Sequence, residues 1–87
     1  MTRKISFTPS AWETYTFWQS QDKKTLKRIN LLIKDCLRSP FEGLGKPEAL
    51  IGDLSGFWSR RIDEKNRLVY EVTDSAITIL SCRYHYE

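Results

Sequence analysis

The chain has 87 residues, 40% hydrophobic and 29% charged, with 14 Lys and Arg against 11 Asp and Glu and a net charge of +3. This length and balance predict one globular domain over residues 1–87, and a basic excess this small is shared by many proteins that never bind nucleic acid. No apolar run approaches the roughly 20 residues that span a bilayer, and the N-terminus lacks an apolar signal segment, so we expect a cytoplasmic protein with no membrane partner.

The first half of the chain predicts a short strand followed by two helices. The strand spans 4–7, and Thr8 before a proline is typical of a helix N-cap, which starts a helix over 9–21. Asp22 caps a second helix over 23–38, where apolar residues recur at three- and four-residue steps. Because the link between them is so short, the two helices should form an antiparallel hairpin that packs on a sheet.

The second half predicts a loop and three antiparallel strands. Residues 40–56 carry all four glycines of the chain and predict turns rather than a linker. Strands at 58–62 and 67–72 form a hairpin, in which we expect Ile62 to lie opposite Arg67. The chain therefore predicts an α+β fold with two N-terminal helices on a small, mainly antiparallel sheet.

The terminal strand, 76–86, is apolar at its start and polar at its end. Its start, apolar on both faces, predicts a strand covered on both sides. A period of two predicts that one face carries Ile77, Ile79, Ser81, Arg83 and His85. The other face would carry Ala76, Thr78, Leu80, Cys82, Tyr84 and Tyr86. We therefore expect this strand to begin in the core and to deliver the single histidine of the chain to a site.

The positions of the arginines and cysteines indicate which kinds of site the chain can form. Four arginines lie in the predicted strands, where a charged side chain is costly unless it meets a partner. They are Arg60, Arg61, Arg67 and Arg83. We expect Arg60 to be solvated or to face a partner. The two cysteines, Cys36 and Cys82, lie among apolar residues and predict free, buried thiols rather than a metal site.

One histidine, several arginines and a loop carboxylate suggest acid–base cleavage of RNA at a 2′-hydroxyl. The reaction needs a base, a cation on the phosphate and an acid for the leaving 5′-oxygen, and it requires no metal or cofactor. Glu48, Arg67 and His85 have the required chemistry. The residue types alone leave the alternative open that His85 is incidental.

The segments GKPEAL, LSGFWSRRI, NRLVYEV and CRYHY resemble those of the YoeB (Txe/YoeB) toxins of bacterial type II toxin–antitoxin systems, within the RelE-like group. The resemblance extends over nearly the whole chain. It implies a microbial-RNase fold and a ribosome-dependent endoribonuclease that cleaves mRNA in the ribosomal A site. The partners that it implies are the 70S ribosome, mRNA and a cognate antitoxin of the YefM/Axe type with an acidic C-terminal tail. A homodimer is an alternative to a free monomer.

The resemblance also implies roles for individual residues. Glu48 would be the general base, Arg67 would steady the phosphate, and His85 would be the general acid. Tyr86 would help to position the scissile group. Two further residues would support RNA binding, namely Lys46 and Arg61.

Three positions depart from the usual pattern of the family: Ile51, Asn66 and Glu87. Ile51 stands near a position where many relatives have a lysine, which puts one backbone contact to RNA in doubt. Asn66 replaces a common histidine, and Glu87 extends past the usual terminal tyrosine. The competing hypothesis is a non-catalytic basic module that binds RNA or an acidic partner. Such a module would depend on its arginines and lysines and not on His85.

Overall fold

The computed structural model describes residues 3–51 and 56–83. The elements in chain order are β1 (Lys4–Phe7), α1 (Pro9–Gln21), α2 (Lys23–Arg38), β2 (Glu48–Ala49), β3 (Phe57–Arg61), β4 (Arg67–Val72) and β5 (Ala76–Ser81). The strands form one sheet in the order β1-β5-β4-β3-β2, in which β1 pairs with β5 in parallel and the other pairs are antiparallel. The predicted α+β architecture of two helices and a mainly antiparallel sheet is confirmed.

Both helices begin where the sequence predicts. The Thr8 hydroxyl accepts a hydrogen bond from the Ala11 amide, and the Asp22 carboxylate accepts from the amides of Lys24 and Thr25. These caps satisfy amides that have no partner inside the first helical turn. Among the described residues, no helix combines the length and the apolar character needed to cross a bilayer.

The helices cover one face of the sheet, which we call the helix face. The core between them includes Ala11, Trp18, Ile29, Leu32, Cys36, Ile62, Leu68, Tyr70, Ile77, Ile79 and Cys82. The Trp18 indole N–H donates to the Cys82 carbonyl oxygen at 2.9 Å, which ties α1 to the end of β5. Both cysteines are buried and free, as predicted. Burial raises the pKa of Cys36 to about 11 and that of Cys82 to about 12, so both thiols are protonated near neutral pH.

The register of the β3–β4 hairpin differs by one residue from the prediction. Arg61, not Ile62, lies opposite Arg67, because the connecting turn spans residues 62–66. The Asp63 carboxylate accepts hydrogen bonds from the amides of Lys65 and Asn66 and thereby closes a wider turn than a two-residue one. The shift matters for function because it decides which arginines share a face.

The predicted faces of the terminal strand are wrong at Ser81 and Cys82. Tyr70 lies opposite Ile79 while Val69 lies opposite Ser81, so one extra residue on β5, Leu80, forms a bulge. The bulge reverses the alternation, and Cys82 is buried in the same core as Ile79. Before the bulge, burial alternates along the strand, so its two faces are not equally covered. Three residues that the same alternation placed, Tyr84, His85 and Tyr86, lie outside the described residues.

Arg60 is wholly buried, and the prediction that it is solvated or faces a partner is wrong. All five of its N–H groups have acceptors within the protein, at 2.6–3.1 Å. Two acceptors are side chains, the Tyr70 hydroxyl and the Asp35 carboxylate. The other three are backbone carbonyls of the loop after α2, those of Ser39, Glu42 and Leu44. Burial is tolerated because the charge is paired with Asp35 at 2.7 Å and every donor is satisfied.

The Asp35 carboxylate joins this buried arginine to α2 and to the loop. It accepts hydrogen bonds from the Leu44 amide, from Arg38 and from Arg60. The bond from the Leu44 amide contributes most to the shift, followed by those from Arg38 and Arg60, and together they hold the pKa of Asp35 far below its usual value. The Gly43 backbone adopts a φ of +116°, and a Cβ there would overlap the Asp35 carboxylate, so this turn requires glycine.

Candidate active site

The candidate site lies on the face of the sheet opposite the helices, which we call the open face. Strand pairing places Glu48 opposite Ser59, and Arg61 opposite Arg67. Directly paired residues point to the same side of a sheet, so these four side chains share one face. The sequence motifs that contain Glu48 and Arg67 are far apart in the chain, and β3 brings them together.

Glu48 and Arg67 form the centre of the site. The Arg67 Nη1 atom lies 3.9 Å from Glu48 Oε1, and it donates a hydrogen bond to the Ser59 hydroxyl at 3.4 Å. Glu48 is 67% exposed and Arg67 is 24% exposed. At this distance the pair is a loose ion pair rather than a tight bidentate one, so a substrate phosphate can displace it at small energetic cost.

The two residues predicted to support RNA binding border this pair. Arg61 is exposed at the end of β3, and its amide donates to the Gly45 carbonyl oxygen at 2.7 Å. Lys46, the next residue after Gly45, is exposed and has a φ of 51°. The loop before β2 therefore runs beside the end of β3. Three cationic residues and one carboxylate give this region a positive balance that suits a polyanion.

The predicted acid, His85, and its neighbour Tyr86 lie beyond Arg83, outside the described residues. The structure therefore describes the base and the phosphate-binding arginine of the predicted constellation and leaves its other two members as predictions. Arg83 lies over the Phe17 ring, with its Cζ atom 3.7 Å from the ring centroid.

Sequence reasoning missed Ser59, which supports Arg67. Ser59 is 1% exposed, lies opposite Glu48, and its hydroxyl accepts the hydrogen bond from Arg67. Its position two residues before Arg61 on a predicted strand puts it on the same face, which is the signal that could have found it.

Two of the three departures from the family pattern have described positions. The Asn66 side chain donates to the Asp63 carboxylate at 3.1 Å, so it closes the turn that leads into Arg67. Ile51 is 87% exposed just after β2 and leaves an apolar side chain near the site. The third departure, Glu87, lies outside the described residues.

This chain, with two helices packed on a five-stranded sheet, has the fold of RelE-like toxins. The solved structure of YafQ from Escherichia coli matches with a TM-score of 0.73 at 18% identity, covering 95% of this chain and 93% of that one. At such low identity the match concerns the fold alone.

Matches at higher sequence identity show the family to which this chain belongs. The model of the YoeB-like toxin of bacterial type II toxin–antitoxin systems matches residues 7–86. Toxin YoeB of Escherichia coli K12 is 57% identical over 83 residues, which cover 95% of this chain and 99% of that protein. This chain belongs to the YoeB-like toxin family.

Solved structures of Staphylococcus aureus YoeB match over 99% of this chain and all of theirs. A structure described as the YoeB dimer has a TM-score of 0.91 at 48% identity, and one described as the YoeB–YefM complex has a TM-score of 0.88 at 47% identity.

Proposed function

We propose that this toxin is a ribosome-dependent endoribonuclease that cleaves mRNA in the ribosomal A site and thereby inhibits translation. The observation that carries the proposal is the exposed carboxylate of Glu48 beside the guanidinium of Arg67 on the open face. Membership of the YoeB-like family supports it.

The proposed reaction is a transfer of the phosphodiester to the neighbouring 2′-oxygen. Glu48 removes the proton of the 2′-hydroxyl, and the oxygen attacks phosphorus. Arg67 stabilises the negative charge that builds on the two non-bridging oxygens. His85 protonates the 5′-oxygen as its bond to phosphorus breaks, which leaves a 2′,3′-cyclic phosphate and a free 5′-hydroxyl. Tyr86 positions the scissile group.

The ribosome supplies orientation that a domain this small cannot supply alone. The open face offers Lys46 and Arg61 as further cationic contacts for the RNA backbone, and these contacts carry no sequence information by themselves. In our proposal the ribosomal decoding site holds the message so that the 2′-hydroxyl approaches Glu48. Orientation of this kind accounts for a large part of the rate enhancement of many enzymes.

Arg67→Lys tests the role of the guanidinium. Lysine keeps the charge but loses the planar fork, so we expect cleavage of ribosome-bound mRNA to fall about 10- to 100-fold. The measurement is the single-turnover rate at saturating ribosome concentration. The control is Lys4→Arg, which also replaces one cationic side chain by another but lies on β1 at the opposite edge of the sheet. Near wild-type turnover would show that Arg67 contributes only charge.

The same assay separates the nuclease from a non-catalytic basic module. A module that blocks translation by binding alone would leave the mRNA intact, and the wild-type protein would then produce no new 5′ end.

We also propose that a YefM-like antitoxin neutralises this toxin by placing an acidic segment on the open face. The YoeB–YefM complex of the Staphylococcus aureus relative supports such a partner, and its dimer supports a second copy of this chain as another. The net charge of +3 and the exposed Arg61 favour an acidic ligand.

Arg61→Glu should weaken binding of the acidic antitoxin segment about three- to tenfold, because an attraction becomes a repulsion at an exposed site. Calorimetric titration measures the affinity. Lys4→Glu makes the same change of net charge on β1, at the opposite edge of the sheet, and should have a smaller effect. Equal effects of the two variants would show that only net charge matters and that the open face is not the docking surface.

A further inference from the structure

The strand that carries the proposed base is short and peripheral. β2 consists of two residues at the edge of the sheet, and its pairing with β3 involves Glu48 with Ser59 and Ala49 with Trp58. Two backbone hydrogen bonds extend this pairing, from the Arg61 amide to the Gly45 carbonyl oxygen at 2.7 Å and from the Leu50 amide to the Phe57 carbonyl oxygen at 2.9 Å. An edge strand this short still has few contacts of its own. The position of the Glu48 carboxylate therefore depends on the backbone that leads into β2.

That backbone is the loop after α2, and Arg60 lies inside it. The Arg60 Nη2 atom donates to the carbonyl oxygens of Ser39 at 2.6 Å and Glu42 at 3.1 Å, and Nη1 donates to that of Leu44 at 3.1 Å. The Nε atom donates to the Tyr70 hydroxyl, which in turn donates to the Pro40 carbonyl oxygen at 2.7 Å. One side chain thus holds the loop along most of its length.

Only three residues separate Leu44 from Glu48, and this link is short and partly enclosed. Gly45 has a φ of +78°, and a Cβ there would lie 2.9 Å from Leu32 and 3.1 Å from Arg60 Cβ, so this turn is tightly enclosed. Lys46 also has a positive φ, and Pro47 has a φ fixed by its ring. The Gly45 carbonyl oxygen also accepts from the Arg61 amide at 2.7 Å, so the link is tied to β3 as well as to the loop that Arg60 holds. A displacement of the loop would pull on this short link and through it on Glu48.

We propose that Arg60 is a positioning residue for the proposed cleavage reaction. By holding the backbone of residues 39–44, it sets the place of the Glu48 carboxylate relative to Arg67. This inference rests on the proposed nuclease function. Arg60 itself cannot touch RNA, because it is wholly buried on the helix face. Arg67 lies on β4, a six-residue strand in the interior of the sheet, and pairs with Arg61 of β3, so its backbone does not depend on the loop that Arg60 holds.

Arg60→Lys is the first test. Lysine keeps the charge beside Asp35, but its three donors on one nitrogen cannot reach five acceptors spread around a planar group. We expect the single-turnover rate of cleavage to fall about 10- to 100-fold at saturating ribosome concentration, because a small misplacement of a reacting group has effects of that size. The apparent Kd for the ribosome should stay within about twofold.

A double-mutant cycle with Glu48→Gln identifies the residue through which Arg60 acts. If Arg60 works by placing the Glu48 carboxylate, then adding Arg60→Lys to Glu48→Gln should change the remaining rate by less than about twofold. Losses that multiply would overturn the proposal, because Arg60 would then act independently of Glu48. An unchanged rate in the Arg60→Lys single variant would overturn it as well.

Two further variants keep the test decisive if Arg60→Lys does not fold. Tyr70→Phe removes only the hydroxyl between Arg60 and Pro40, and it should lower the rate a few-fold in wild type and not in the Glu48→Gln background. Ile29→Val lowers stability at a core position on α2, and its rate per folded molecule should equal that of wild type. No loss from Tyr70→Phe, or an equal loss from Ile29→Val, contradicts positioning. Absence of cleavage by the wild-type protein contradicts the proposed function itself.

Discussion

Replacing Asp35 with alanine is expected to reduce the free energy of unfolding by about 3–5 kcal/mol, the usual effect of removing one partner of a buried ion pair. The Asp35 carboxylate is 2.7 Å from the Arg60 guanidinium, and the two side chains are 7% and 0% exposed. Without Asp35 the charge of Arg60 remains buried without a counter-charge. The Leu44 amide also loses its acceptor. Denaturant unfolding followed by circular dichroism measures the change.

Arg38 provides the matched control. It pairs with the same carboxylate, at 2.7 Å, but its side chain is 72% exposed. Because water screens an exposed pair, Arg38→Met should reduce stability by no more than about 1 kcal/mol. If Asp35→Ala and Arg38→Met have equal effects, burial of the Asp35–Arg60 pair contributes nothing to stability.

The Asp35 carboxylate also predicts that the stability of the folded protein depends on pH. The pKa of Asp35 is lowered in the folded protein, so its contribution to stability is complete above the unfolded value of about 3.9 and is lost as the pH falls below it. The stability of wild type should therefore decline more steeply below about pH 4 than that of Asp35→Ala. Equal slopes in acid would contradict this assignment.

Glu48→Gln and His85→Gln should each lower the rate of mRNA cleavage about 10²–10⁴-fold, the range for loss of a general base or acid. Both changes preserve size and remove the proton-transfer group. Ribosome binding should survive in both variants, because Arg61, Arg67 and Lys46 remain. Single-turnover cleavage and co-sedimentation with ribosomes measure the two properties separately.

Glu13→Gln is the control for this second prediction. Glu13 is an exposed carboxylate on α1, on the helix side of the sheet, so its loss should leave cleavage unchanged. Retained toxicity of His85→Gln on expression would remove His85 from the mechanism. Cleavage that survives Glu48→Gln would assign the base to another group.

Local sequence patterns were sufficient for the helices and most of the strands. Thr8 and Asp22 are N-caps in the sequence and in the structure, because capping depends on a side chain and amides two or three residues away. Glu48 and Arg67 were assigned to one site from their chemistry and from the family resemblance, and the structure places them 3.9 Å apart.

Features that depend on distant partners were not predictable in the same way. Along its strand, Arg60 alternates with the apolar residues Trp58 and Ile62, so the pattern places it on their face. Only the folded loop, however, supplies the carbonyl groups that allow a charge to be buried there. The bulge at Leu80 depends on how β5 meets β4, which no local pattern encodes. The predicted register of the β3–β4 hairpin was wrong because Asp63 and Asn66 close a wider turn than the two-residue turn that the sequence suggested.

The parallel pairing of β1 with β5 has a consequence for synthesis. Lys4 lies opposite Ala76, so the first strand of the chain must wait for the last one. β5 is also the neighbour of β4, and without it the sheet separates into two pieces. Since nascent chains emerge from the N-terminus onward, the sheet can be completed only after β5 has left the ribosome. β1 must therefore stay without its partner strand while the residues between the two strands are synthesised.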